Sequence, residues 1–257
     1  MTRFRPETDA AISGVRAAIE LARRGTGEVH AKIGRDVVTD TDVLVEDHLR
    51  RSLSDAFPWP VIGEERGGTI PSDTPYWLVD PICGTRNFAS GIPLFAINAA
   101  LIEDGRVAAS VVGDGSSGDL LVAEVNGHAW RIHGDDVTRL AASESSLIID
   151  FGACPKTSPD RDDAARTIGA AIARDRWDVR CFSTTLSLAF VATGQVAACV
   201  LFATPDLVHI VAGTLLVAEA GGRVTDITGK SWNLGARSLV CAANDRFHRE
   251  VLELVSA

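Results

Sequence analysis

Two dipeptides, Asp104-Gly105 and Asn126-Gly127, constrain the fold most strongly, because each interrupts short apolar runs and accepts the positive φ angles of a tight hairpin turn. Phe95 to Glu103 is expected to turn back into Val107 to Val112, and Leu120 to Val125 to turn at Asn126-Gly127. The middle of the chain then holds an antiparallel sheet. Upstream, Ile12, Val15, Ile19 and Ala22 recur at helical spacing, which predicts a helix from about Asp9 to Arg24 stopped by Gly25 and Gly27. A second helix is expected from near Thr39 to Asp42, where Thr and Asp can cap free N–H groups, through Val45, Leu49 and Leu53 to Phe57-Pro58. After about Ala141 strand and helix alternate. Val179 to Phe182, Val196 to Phe202 and Ser238 to Ala242 read as strands, and Ser183 to Gly194, Pro205 to Ala220 and Asp245 to Val255 as helices. Thr204, Pro205 and Gly221-Gly222 supply end signals for the middle one. No linker separates the two halves, 1–140 and 141–257, so they are expected to pack closely, and 257 residues at 46% hydrophobic suffice for a full core.

A net charge of −9 argues against nucleic acid as a partner, since phosphate-backbone affinity needs clustered Lys and Arg. It suits a cation-holding site. The five cysteines (Cys83, Cys154, Cys181, Cys199, Cys241) are widely spaced and odd in number, which reads as reduced thiols in a cytoplasm. The amino terminus has no apolar core of a secretory signal, and the run from Leu207 to Ala220 is too short to span a bilayer. A cytoplasmic protein without a membrane partner is expected.

Three acidic residues stand where backbone elements end: Glu64 after Val61-Ile62, Asp80 at the end of Tyr76 to Asp80, and Asp206 in the first turn of a helix. Singly, each has an ordinary explanation as a solvated charge, a turn residue or a complement to a helix dipole. Gathered at one point, carboxylates need a cation, and hard oxygen ligands suit Mg²⁺ or Mn²⁺. Gly84 and Thr85 form a glycine turn entering a helix, which either caps the helix or presents N–H groups to a phosphate.

The segment from Trp77 to Phe88, WLVDPICGTRNF, closely resembles the inositol monophosphatase signature W-x-x-D-P-x-D-G-T-x-N-F. Ile62-Gly63-Glu64-Glu65 upstream, Asp206 with Ala212 to Gly222 downstream, and Asp36 to Asp42 followed by Glu46 resemble further blocks of that family in the same order. The resemblance implies an α/β fold, a layered α/β/α/β/α sandwich, in a homodimer that hydrolyses small phosphate monoesters with Mg²⁺ or another divalent cation. It implies a first metal on Glu64, Asp80 and the Ile82 carbonyl, and a second on Asp80, Asp206 and position 83. Asp42 and Thr85 would orient the attacking water, Glu64 would join them in catalysis, and Gly84 with Thr85 would bind phosphate. Arg86 could contact the phosphate or be a surface residue.

The chain departs from the pattern at Cys83, where the motif has a metal-binding Asp. Either Cys83 is a small packed residue and water completes the coordination, so that Cys83→Asp tightens Mg²⁺, or its thiolate is a ligand favouring Mn²⁺, Co²⁺ or Zn²⁺. No acidic residue lies between Gln195 and Pro205, where inositol-binding members place a Glu, and Phe182-Ser183-Thr184 replaces the small residues that line their pocket. Inositol, sugar, amino-alcohol and nucleoside phosphates therefore all remain as substrates. His209, set in an apolar run, reads as a packing or supporting residue rather than a general base. A competing function is a non-catalytic homologue that acts as a binding or assembly subunit.

Overall fold

The computed structural model describes residues 4–25, 27–32, 36–143, 146–152, 160–203 and 206–256. Helix α1 (Pro6–Arg24) buries Ile12, Val15 and Ile19, and it starts three residues before Asp9 because Pro6 sits at the first helical position, where a missing N–H costs nothing. Strands β1 (Val29–Ala31) and β2 (Val37–Thr39) pair as a short antiparallel ribbon whose β1 residues are exposed, so no apolar alternation announced it. Helix α2 (Asp40–Ala56) opens with a reciprocal capping box between Thr39 and Asp42, an arrangement worth about 1 kcal/mol. Its Val45, Leu49 and Leu53 are fully buried, each contributing about 1.5–3 kcal/mol of apolar burial.

The large sheet runs in the order β3 (Val61–Gly63), β4 (Tyr76–Cys83), β5 (Ala96–Glu103), β6 (Arg106–Asp114), β7 (Leu120–Glu124), β8 (Ala129–His133) and β9 (Asp136–Arg139). Only β3 and β4 pair in parallel; the other neighbours are antiparallel. Both expected hairpins form. Asp104 and Gly105 carry positive φ in the first, whereas in the second the positive φ falls on Asn126 and His128. Helix α3 (Thr85–Ala89) follows β4 directly.

The second sheet is built from β10 (Ile148–Phe151), β11 (Asp178–Arg180), β12 (Ala198–Leu201), β13 (Arg223–Thr225) and β14 (Leu239–Ala242), in the order β11-β10-β12-β14-β13. Helices α4 (Asp160–Ala173) and α7 (Asp245–Val255) pack on its outer side, while α5 (Leu186–Ala192) and α6 (Val211–Glu219) lie between the sheets. With α1 and α2 covering the far face of the large sheet, the layers are α/β/α/β/α. One apolar cluster joins α1 and α2 to Trp77, Val79, Ile97 and Leu101; the other runs from Ile62 to Leu254 and unites both halves of the chain.

Two expected helices are shorter than the sequence indicates. The stretch read as one helix from Pro205 to Ala220 is a 3₁₀ turn, Leu207–His209, then α6 from Val211, because Ile210 leaves helical geometry at φ −125°. Thr204 and Pro205, its expected cap and first residue, lie outside the described residues. The helix expected from Ser183 begins at Leu186, since Ser183 has φ +54°. Among the described residues no helix is long and apolar enough to cross a membrane. Cys83, Cys199 and Cys241 are free thiols, and Cys154 lies outside the described residues.

Candidate active site

A strand alternates its side chains, so Asp80 and Cys83 on regular β4 would face opposite ways. The β4–β5 register shifts between them. Leu78 and Cys83 consequently join the apolar cluster between the sheets, while Val79 and Ile82 join the one under α1 and α2. The irregularity turns Cys83 to the side of Asp80. Immediately after it, Gly84 takes φ +104° and caps α3; a Cβ there would meet Leu94 O at 2.9 Å, so glycine is required on both counts.

Glu64 is held from below by Glu46 of α2. The fully buried Glu46 carboxylate accepts from the N–H groups of Glu65 (2.6 Å) and Arg66 (2.9 Å) and pairs with Arg50 Nε at 2.8 Å, which fixes the turn after β3. Lys32 Nζ donates to Glu64 Oε1 at 3.1 Å and Glu65 Oε1 at 2.5 Å. Asp42 is also fully buried. Its Oδ2 accepts from the Thr39 N–H (2.9 Å) and hydroxyl, and its Oδ1 lies 3.0 Å from Thr85 Oγ1, which is equally 3.0 Å from the Ile82 carbonyl.

Asp206 does not join this group: it is exposed at the start of the 3₁₀ turn, where its carbonyl accepts from the His209 N–H. In its stead His209 Nδ1 lies 2.7 Å from Asp80 Oδ2 and 3.9 Å from Glu64 Oε2. Asp80, Cys83 and His209 each place a ligand atom within 4.8 Å of the others. His209, not Asp206, is the residue whose side chain lies against Asp80. A lone imidazole in an apolar run was the available signal; reading a continuous helix there hid its direction. Arg86 is exposed.

The loop before α5 closes the site from the second half of the chain. Thr184 Oγ1 donates to Cys83 O at 2.8 Å, the Thr185 N–H points at Cys83 Sγ at 3.2 Å, and Asn87 Nδ2 donates to Leu94 O (2.9 Å) and Phe182 O (2.8 Å). These bonds, not periodicity, carry Phe182, Ser183 and Thr184 to the Gly84 turn.

Burial, then the Asp80 charge, pushes the Glu64 carboxyl up to about 8. Burial likewise raises Asp42, against its bonds from Thr39 and Thr85. Cys83 is pushed up to about 11 by burial and by the charge of Asp80. Burial alone would lower His209, but the Asp80 carboxylate holds it well above its ordinary value. Among the described residues no hydrogen bond reaches the buried oxygens Glu64 Oε2 and Asp80 Oδ1. Two buried carboxyl oxygens without donors are costly to ionise together unless a cation meets them, so the donor set fits a divalent metal. A recess of about 660 Å³ beside Arg131, Arg139, Phe190 and Gln195 contains none of these groups.

Residues 5–257 match the model of the inositol monophosphatase family. Inositol-1-monophosphatase ImpA of Mycolicibacterium smegmatis is 33% identical over 231 residues, covering 88% of this chain and 82% of that protein. The histidinol-phosphatase of Mycobacterium tuberculosis is 32% identical, with 86% and 85% covered. The structure of the Thermotoga maritima IMPase superposes with a TM-score of 0.83 at 29% identity, covering 96% of each chain. The chain belongs to the inositol monophosphatase family of metal-dependent phosphomonoester hydrolases.

Proposed function

We propose that this chain hydrolyses a small phosphate monoester at the Glu64, Asp80 and Thr85 cluster, with Mg²⁺ or another divalent cation held by Glu64, Asp80 and the Ile82 carbonyl. The observation that carries the reading is the pair of buried, donorless carboxylate oxygens beside the Gly84 turn. A cation bound there supplies charge neutralisation for the phosphate oxygens and an acidified water as nucleophile. The backbone N–H groups of Gly84 and Thr85 bind the phosphate. Thr85 Oγ1 donates its single hydrogen bond to Asp42 Oδ1, which leaves its lone pairs to accept a hydrogen bond from water and aim the water's oxygen. Asp42, fixed by the capping box, keeps that hydroxyl from turning away.

The alcohol half is the open part of the substrate. Relatives named for inositol phosphate and for histidinol phosphate are almost equally similar, at 33% and 32% identity, and the chain has no Glu between Gln195 and Phe202 to accept bonds from a polyol. The test is phosphate release from inositol, sugar, histidinol and nucleoside monophosphates with Mg²⁺, Mn²⁺ and Zn²⁺ in turn. Turnover of at least one substrate, lost in Asp80→Asn, is expected. The Cys83 thiol beside Asp80 favours a second reading, a binding or assembly subunit that keeps the fold; failure across the whole matrix selects it.

A further inference from the structure

Three donor atoms of different chemistry converge beside Glu64: a carboxylate oxygen of Asp80, the sulfur of Cys83 and an imidazole nitrogen of His209, mutually within 4.8 Å. Asp80 is fully buried, and among the described residues its Oδ1 has no hydrogen-bond partner. A set of oxygens alone suits Mg²⁺, whereas thiolate and imidazole select zinc-class ions; here two ligands of three are of the second kind. We propose that Asp80, Cys83 and His209 form a three-ligand site for a Zn²⁺-class transition metal, so that this family member carries a mixed O/S/N centre. The inference rests on the proposed hydrolytic site only in sharing Asp80 with it.

The surroundings are those of ligands held in place. Asn98 Nδ2 donates to Thr185 Oγ1 at 2.8 Å, and the Thr185 hydroxyl donates to the His209 carbonyl at 2.6 Å. Thr185 Oγ1 also lies 2.8 Å from Cys83 Sγ, and its N–H points at the same sulfur. One threonine therefore fixes both the Cys83 side chain and the backbone of His209, with the buried Asn98 behind it. Around a tetrahedral ion with bonds of 2.0–2.3 Å, ligand atoms stand about 3.3–3.8 Å apart. The His209–Asp80 pair at 2.7 Å must open by less than roughly an ångström. On binding, the Cys83 thiol proton and the proton shared by His209 and Asp80 leave to water.

Titration of metal-free, full-length protein with Co²⁺ tests this directly. The expected result is a near-ultraviolet sulfur-to-cobalt charge-transfer band that saturates at a single ion per chain, is erased by Zn²⁺ and persists in excess Mg²⁺. The band should vanish in Cys83→Ser and survive in Cys181→Ser. Partners behind metal ligands are typically worth ~10- to 100-fold in affinity, so Thr185→Val should weaken Co²⁺ binding by that much with all three ligands kept. Cys83→Asp, which keeps three ligands but replaces sulfur by oxygen, should lower the preference for Zn²⁺ over Mg²⁺ by about 100-fold or more. Absence of the band, its survival in Cys83→Ser, or equal Zn²⁺ to Mg²⁺ preference in parent and Cys83→Asp overturns the proposal. Phosphate release with Mg²⁺ but no band sinks this centre and leaves the hydrolytic reading standing; the band without any phosphate release does the reverse.

Discussion

Thr85 Oγ1 lies 3.0 Å from Asp42 Oδ1, so one hydroxyl joins the first turn of α2 to the first turn of α3. The backbone N–H groups of the Gly84 turn do not depend on that hydroxyl. Thr85→Ala is therefore expected to lower kcat by ~10²- to 10⁴-fold while leaving KM nearly unchanged, the usual loss for a proton-handling group. Thr85→Ser should recover most of the rate. A change confined to KM would instead mark Thr85 as a contact of the bound substrate.

Asp80 is fully buried, with one oxygen against His209 and the other without a donor among the described residues. Asp80→Asn keeps the shape and removes the charge. It should abolish phosphate release and, in the same preparation, the rise in Tm on adding divalent metal, because ligand binding to the folded state is what produces that rise. Turnover near the parent rate would remove Asp80 from the reaction.

Glu46 makes a prediction about stability that propagates into the site. Its carboxylate answers Arg50 and two backbone N–H groups of the turn that presents Glu64. Glu46→Ala leaves two backbone N–H groups without their acceptor, while Arg50 keeps the Val61 and Gly67 carbonyls; an unsatisfied donor costs about 1–3 kcal/mol. The urea midpoint should fall accordingly. If folding is kept at low temperature, metal affinity should fall as well, since Glu64 loses its support; unchanged affinity would separate the turn from the metal.

What was legible in the sequence was local. The hairpin at Asp104-Gly105 and the apolar stripe of α1 are set by neighbours a few residues apart, and the α2 capping box is set by Thr39 and Asp42 alone. Glu64, Asp80, Gly84 and Thr85 could be named because ordered blocks of residues resemble a family, although no local rule brings them together. His209 reads as a packing or supporting residue in a continuous helix, whereas Ile210 leaves helical geometry and the imidazole lies against Asp80. The displacement of Cys83 to the side of Asp80 depends on a register shift that period-two reading does not foresee. Thr185 reaches Cys83 across 102 positions of sequence, a contact decided by the packing of α5 between two sheets.

Asp150 offers a prediction about pH away from the metal ligands. It is fully buried in β10, where Oδ1 accepts from the Phe182 N–H at 2.8 Å and Oδ2 lies 3.5 Å from Cys199 Sγ. Burial raises its carboxyl above the ordinary value, against the bonds from Phe182 and Cys199. The folded state therefore holds this proton over a pH range in which the unfolded chain, with an aspartate near ~3.9, has lost it. Stability falls as pH rises wherever the folded state binds more protons, so the cost of Asp150 is absent below about pH 3.9 and grows until its folded carboxyl has ionised. Asp150→Asn keeps an acceptor for Phe182 and carries no charge at any pH. The Tm of Asp150→Asn minus that of the parent should thus be smallest in acid and increase toward neutrality. The measurement is thermal unfolding of both proteins from acid to neutral pH in the same ionic strength; a difference that stays flat or shrinks as pH rises would show that Asp150 is ionised throughout and that its hydrogen bonds outweigh its burial.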